Sequence, residues 1–175
     1  AHEWKVPKYM AEAKKILAGI EASLIRPDYS LRRGDWDRDQ HATRLSDIMP
    51  THFDAFAQVS NRKLWRCVKG VHYSILRQMS LYEGVFPDFV VKGKTGWKPA
   101  PPNFLESDYD GMMYYNACRV PWRLAAAVIE NSDQDARHLL RIFNFGIGKV
   151  PNDDFMAGYR LDGKPLNEWT DGAFT

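Results

Sequence analysis

Apolar residues recur at helical spacing in several separated stretches of the chain. Met10, Ala13, Ile16, Leu17, Ile20 and Leu24 predict a helix over about Pro7 to Leu24. Pro7 fits its first turn, where the missing N–H costs nothing, and Arg26-Pro27-Asp28 ends it. Met49-Pro50 opens a short helix through about Val59, with Phe53, Phe56 and Ala57 on one face. Ser60-Asn61 is a capping signal for a longer helix, about Arg62 to Tyr82, striped by Leu64, Trp65, Val68, Val71, Ile75, Leu76 and Met79. A further helix is expected from about Asn116 to Glu130, broken at Asn131-Ser132. Ser132 is expected to cap a last one, about Asp133 to Phe145, with Asp135 in the capping-box position.

Two connections stand out. Asp28 to Thr43 is polar and turn-rich, yet its Arg33-Gly34-Asp35-Trp36-Asp37 run holds a tryptophan. Residues 84–115 carry Gly84, Pro87, Gly93, Gly96, Pro99, Pro101 and Pro102, which no regular helix survives. Phe89-Val90-Val91 reads as a short strand there. A loop this long inside a domain is usually functional or disordered, and its aromatics argue against disorder. In the tail, Asp162-Gly163 between short apolar segments signals a tight turn and a small hairpin. The pattern is that of an all-α protein, with antiparallel helices joined by loops of uneven length.

Composition narrows the function classes. The 175 residues suffice for one domain, and 45% hydrophobic with 26% charged residues is ordinary for a globular protein. A net charge of +2, with Lys and Arg dispersed, gives no argument for nucleic acid or a membrane surface as partner. No apolar run approaches the ~20 residues of a membrane helix, and no signal-peptide pattern is present. Cys67 and Cys118 read as buried free thiols. His2, His41, His52, His72 and His138 lack paired ligand spacing, and Gly146-Ile147-Gly148 reads as a helix terminator, so neither metal nor cofactor is expected. Six Trp and eight Tyr are more than a surface scatters; most should be core, and some can form platforms for sugar rings.

Carboxylates are the remaining chemistry. Glycosidases commonly use a pair of them. Glu106, Asp108 and Asp110 lie together on the long loop, where each alone reads as part of a solvated acidic turn. Glu106 is favoured because Phe104-Leu105 can pin the loop and because Tyr114, Tyr115 and Arg119 follow closely. Arg119 falls in the first turn of its expected helix, where a cation gains nothing from the helix dipole; a role beside a carboxylate or sugar hydroxyls explains it better. Trp122 shares that face and reads either as core or as a further sugar contact.

The run Tyr115-Asn116-Ala117-Cys118-Arg119-Val120-Pro121-Trp122-Arg123 resembles the signature helix of glycoside hydrolase family 8. Gly34-Asp35-Trp36, the stretch Ser46 to Phe53 and the tail Gly158 to Thr175 resemble further parts of that family in the right order. The resemblance implies about half of an (α/α)6 barrel, with a loop insertion, over residues 1–175. It implies inverting endo-hydrolysis of β-1,4-linked glucan, xylan, mixed-linkage β-glucan or chitosan, by a secreted enzyme. Many members have Asp, their general base, where this chain has Asn116. A subgroup that includes chitosanases and mixed-linkage glucanases has Asn there and supplies a glutamate from an upstream loop; Glu106 matches it. Asn116 would hold the water or a sugar hydroxyl, Arg119 would orient Glu106 or bind substrate, and Trp36, Tyr114, Tyr115 and Trp122 would line sugar subsites.

The same resemblance implies that the general acid, which precedes Ala1-His2 in the family, is not on this chain. Twelve helices of ~11 residues plus loops do not fit in 175 residues. The remaining barrel is therefore expected as another chain or a missing segment, meeting an exposed apolar face. A non-catalytic carbohydrate-binding or structural helical domain is the alternative, and a lone helical interaction module leaves residues 104–123 unexplained. Cationic chitosan would need an acidic cleft, for which Asp35, Asp37, Asp39, Glu106, Asp108 and Asp110 are the candidates.

Overall fold

A computed structural model of the chain describes residues 5–37, 41–150 and 155–166. The opening Ala1-His2-Glu3-Trp4, the candidate Asp39 and the tail beyond Leu166 lie outside them. The helices are α1 (Pro7–Ser23), α2 (Pro50–Val59), α3 (Arg62–Met79), α4 (Arg119–Asn131) and α5 (Gln134–Ile147). Each matches an expected stretch. A three-stranded antiparallel sheet joins them, built from β1 (Ala42–Arg44), β2 (Phe89–Lys92) and β3 (Trp97–Pro99) in that order. Only its central strand was expected from sequence. The flanking strands are three residues each, too short for a period to show. Thr43 pairs with Val90, and Val90 with Pro99.

Helices α2, α3, α4 and α5 pack around a core that includes Phe53, Trp65, Leu76, Phe86, Leu124 and Leu139. The sheet lies against one end of α3. Asn61 caps α3 as its position suggested, its side chain accepting from the Leu64 N–H. At α5 the expectation is corrected. Asp133 is the cap, accepting from the Ala136 N–H, while Ser132 ends α4 with a left-handed φ of 53°. Helix α4 begins at Arg119, so Asn116 sits in the turn before it and not inside it. Cys67 and Cys118 are free but only partly buried, and the Cys118 thiol donates to the Tyr115 carbonyl. The tail turn is present: the Arg160 N–H donates to Lys164 O, and Tyr159 pairs with both Met113 and Pro165.

Helix α1 is held more loosely than its stripe implied. Only Leu17 is fully buried, and Ile16 is 63% exposed. Its C-terminal end is pinned by Glu21, which accepts from the Trp65 indole at 2.7 Å. Leu81, Ile129 and Phe145 are also largely exposed. Among the described residues no helix is long and apolar enough to cross a membrane.

His72 on α3 is fully buried and fully bonded. Its Nδ1 lies 2.7 Å from the Val68 carbonyl, and its Nε2 accepts from the Leu31 N–H at 3.2 Å. That geometry suits only the neutral ring, and burial lowers its pKa to about 4. The unfolded chain takes up this proton near pH 6.5 and the folded one only near 4. Stability is therefore complete above pH 6.5 and falls as pH drops towards 4, by about 3 kcal/mol from this group. Urea unfolding across this window should show that loss in the parent and a flatter profile in His72→Gln. An unchanged pH slope in the variant would refute the assignment.

Candidate active site

The turn that carries Glu106 is organised by Asp110. Its buried carboxylate accepts from the backbone N–H groups of Leu105 (2.6 Å), Glu106 (2.9 Å) and Ser107 (3.0 Å). Those oxygens are committed to the loop, which removes Asp110 from the candidates for catalysis. Gly111 follows because a Cβ there would lie 2.0 Å from the Ala100 carbonyl. Asp108 accepts from the Asn103 side chain and stays on the exposed outside of the turn.

A second buried carboxylate, Asp88, holds the turn that carries Asn116. It accepts from the N–H groups of Tyr114 (2.9 Å), Asn116 (3.0 Å) and Ala117 (2.7 Å), and from the Asn116 side-chain amide (3.3 Å). Burial pushes its carboxyl above the ordinary value, while these donors pull it down. The Asp88 N–H donates to Met112 O and the Phe89 N–H to Asp110 O, which ties β2 to the loop between the two turns.

The two turns bring the expected catalytic residues together. Asn116 Nδ2 donates to Glu106 Oε2 at 2.8 Å, and Arg119 Nη2 donates to Asn116 Oδ1 at 2.5 Å and to Ser46 Oγ at 3.0 Å. Arg119 thus touches Asn116 rather than Glu106. The Glu106 side chain is 43% exposed, so water reaches it. Its other oxygen pairs with Arg44 of β1, whose guanidinium also lies over the Phe89 ring and 3.9 Å from Asp47. Burial, and then Glu106, push the Asp47 carboxyl up against the pull of Arg44, Arg119 and Arg123. The Nε–H groups of Arg44, Arg119 and Arg123 are buried with no hydrogen-bond acceptor.

Sequence reasoning missed Arg44, Asp47 and Asp88. Asp88 had a signal: it is the lone charge in Val85-Phe86-Pro87-Asp88-Phe89-Val90-Val91, and a buried charge requires partners. Arg44 had none, since its partner lies 62 positions downstream.

The expected sugar platforms are exposed rings. Trp36, Tyr115 and Trp122 are 58%, 57% and 60% exposed, so Trp122 is a surface residue and not core. Arg123 stacks on Trp122 at 4.2 Å. Tyr114 is only partly buried and packs edge-on to Tyr109 and Tyr115. The Trp36 loop is anchored by buried Asp37, which pairs with Arg26 (3.0 Å) and Arg33 (2.8 Å). Gly34 lets the Trp36 indole lie flat, since a Cβ there would come within 2.3 Å of it. Arg33 then bridges Trp36 (5.3 Å) to Phe104 (4.6 Å), on the loop of Glu106. Among the described residues no cluster of metal ligands occurs.

No family model matches the chain. A β-glucanase of Niallia circulans is 34% identical over 177 residues, covering 95% of this chain and 43% of the relative. The apo β-1,3-1,4-glucanase structure from Paenibacillus sp. X4 superposes with a TM-score of 0.89 at 33% identity, over 95% of this chain and 47% of that one. A glycoside hydrolase family 8 xylanase from Teredinibacter turnerae shares the fold, with a TM-score of 0.76 at 17% identity, over 91% and 45% of the two chains. The chain is thus similar to (α/α)6-barrel enzymes of that family and spans a little under half their length.

Asp88 is the residue whose loss should show first. Replacing Asp88 by Asn leaves main-chain donors facing an NH2 group and should lower stability by about 3 kcal/mol. Urea unfolding checks this; a variant within about 0.5 kcal/mol of the parent would show that the carboxylate is dispensable.

Proposed function

We propose that this chain is the base-bearing part of an inverting endo-glycosidase that cuts neutral β-1,4-linked glucan chains. The hydrogen-bonded series Glu106–Asn116–Arg119 carries the reading. Glu106 is an exposed carboxylate fixed at both oxygens, by Arg44 and by Asn116. Such a group can take a proton from water as the water oxygen attacks the anomeric carbon from the face opposite the leaving group. A carboxylic acid on the part of the barrel outside this chain, about 6.5–9.5 Å from the Glu106 carboxylate, protonates the departing glycosidic oxygen. Asn116 cannot accept the proton itself; its amide steers Glu106, and Arg119 holds Asn116 from behind. Trp36, Tyr115 and Trp122 offer rings on which pyranose faces stack.

Charge favours a neutral polymer over chitosan. Among the described residues, Arg44, Arg119 and Arg123 lie beside the carboxylates of Asp47 and Glu106. Asp37 is paired with Arg26 and Arg33, and the buried Asp110 carboxylate is turned into its own loop, so neither offers a free carboxylate to a polycation. The exposed Ile16, Leu81, Ile129 and Phe145 fit a chain whose apolar surface meets the rest of the barrel. A polymer of this size is met outside the cell, which makes this a secreted activity.

In the complete barrel, Glu106→Gln should lower reducing-sugar release from lichenan by roughly a hundredfold or more. Near-parental activity would move the base to Asp47 or Asp108, and no activity in the parent would favour a non-catalytic carbohydrate-binding domain. Lichenan and carboxymethylcellulose should be hydrolysed and chitosan left intact; rapid chitosan cleavage would overturn the charge argument.

A further inference from the structure

We propose that the outer side of the three-stranded sheet holds a second glycan-binding site, a groove that takes a neutral β-linked oligosaccharide away from the bond that is cut. The groove encloses about 580 Å³ and is lined by His41, Lys92, Lys98, Pro99, Pro101 and Phe104. That volume is in the range of sites that hold ligands of several rings. Nothing in the proposed hydrolysis uses these residues.

The lining has the two parts a saccharide requires. Phe104, Pro99 and Pro101 supply flat apolar surface for the C–H faces of pyranose rings. Lys92, Lys98 and His41 supply donors at the edge for hydroxyl and ring oxygens. Lys92 and His41 are oriented before any ligand arrives. Asp28 pairs with Lys92 and with His41 Nε2 at 2.9 Å, and Ser30 donates to it through its N–H (3.1 Å) and hydroxyl (2.7 Å). Below them Trp97 meets His41 edge-on at 5.5 Å and lies under the Lys92 ammonium at 5.9 Å. The carboxylate of Asp28 offsets much of the positive charge, so the groove does not present the concentrated cation that a simple anion requires. Its three-ring floor is wasted on an inorganic ion and suited to a chain of sugars.

The groove also has a place along a substrate. Phe104 lines it and lies two residues before Glu106. Its ring sits beneath Arg33, which reaches across to Trp36. A glucan strand stacked on Trp36 can therefore continue over Phe104 into the groove. The site would tether a long polymer at a distance from hydrolysis, whereas a short oligosaccharide would occupy it without bringing its bonds to Glu106.

Titrating the ¹⁵N-labelled complete barrel that contains this chain with cellotetraose tests this. Saturable amide shifts are expected at Val91, Lys92, Lys98 and Phe104, and they should persist in Glu106→Gln. Phe104→Ala and Lys98→Ala should each weaken binding about fivefold. Lys98 lies on an exposed strand away from the base, so its variant remains informative if Phe104→Ala does not fold. Absence of shifts at these residues, or unchanged affinity in Lys98→Ala and a folded Phe104→Ala, overturns the proposal. So does a response confined to a uronic-acid oligosaccharide of equal length, which would make the groove an anion site. Because binding here does not need Glu106, failure of the groove and failure of the base assignment are separate results.

Discussion

The arrangement depends on a carboxylate taken out of water. Asp88 is only 2% exposed and survives there because four N–H donors converge on its two oxygens. An ion in that position without partners would cost several kcal/mol, so its presence forces the chain from Tyr114 to Ala117 to turn its N–H groups inward. That turn delays the start of α4 to Arg119. It also leaves the Asn116 side chain free to bond outward to Glu106 while its backbone bonds inward. Asp110 repeats the device for Leu105, Glu106 and Ser107. An exposed carboxylate, Glu106, meets a buried amide, Asn116, because two buried carboxylates hold their backbones.

This division explains how a long loop can carry a precise group. Residues 84–115 are short of helix, yet they are bound by a sheet, by β2 contacts to Met112 and Asp110, and by a glycine that lets Ala100 approach. The irregular backbone is satisfied almost residue by residue, which is what separates a positioned loop from a floppy one. Backbone satisfaction does not freeze the Glu106 side chain; Arg44 and Asn116 do that, from a different strand and a different turn.

Sequence made the helices legible because their burial repeats every three to four residues, and α3 keeps that stripe over 18 residues. The pairing of Glu106 with Asn116 was legible for another reason: the two lie ten positions apart and beside a recognisable run. What escaped reading was long-range. β1 is recognisable as a strand only from its pairing with β2, and Arg44 enters the site only through that pairing. Trp122 was ambiguous because a helix with apolar residues on much of its circumference does not say which edge faces solvent. Ser132 looked like a cap by residue type, but its left-handed φ ends α4 and hands the capping role to Asp133.

Electrostatics decides what the meeting of these groups can do. Three guanidinium groups beside Asp47 and Glu106 leave a surplus of positive charge in a partly buried place. Left alone that surplus is unfavourable, since each buried Nε–H lacks an acceptor. A cationic sugar would add to the repulsion. A neutral polyol adds no charge. The surplus of guanidinium charge over carboxylate charge therefore disfavours a ligand that carries positive charge of its own.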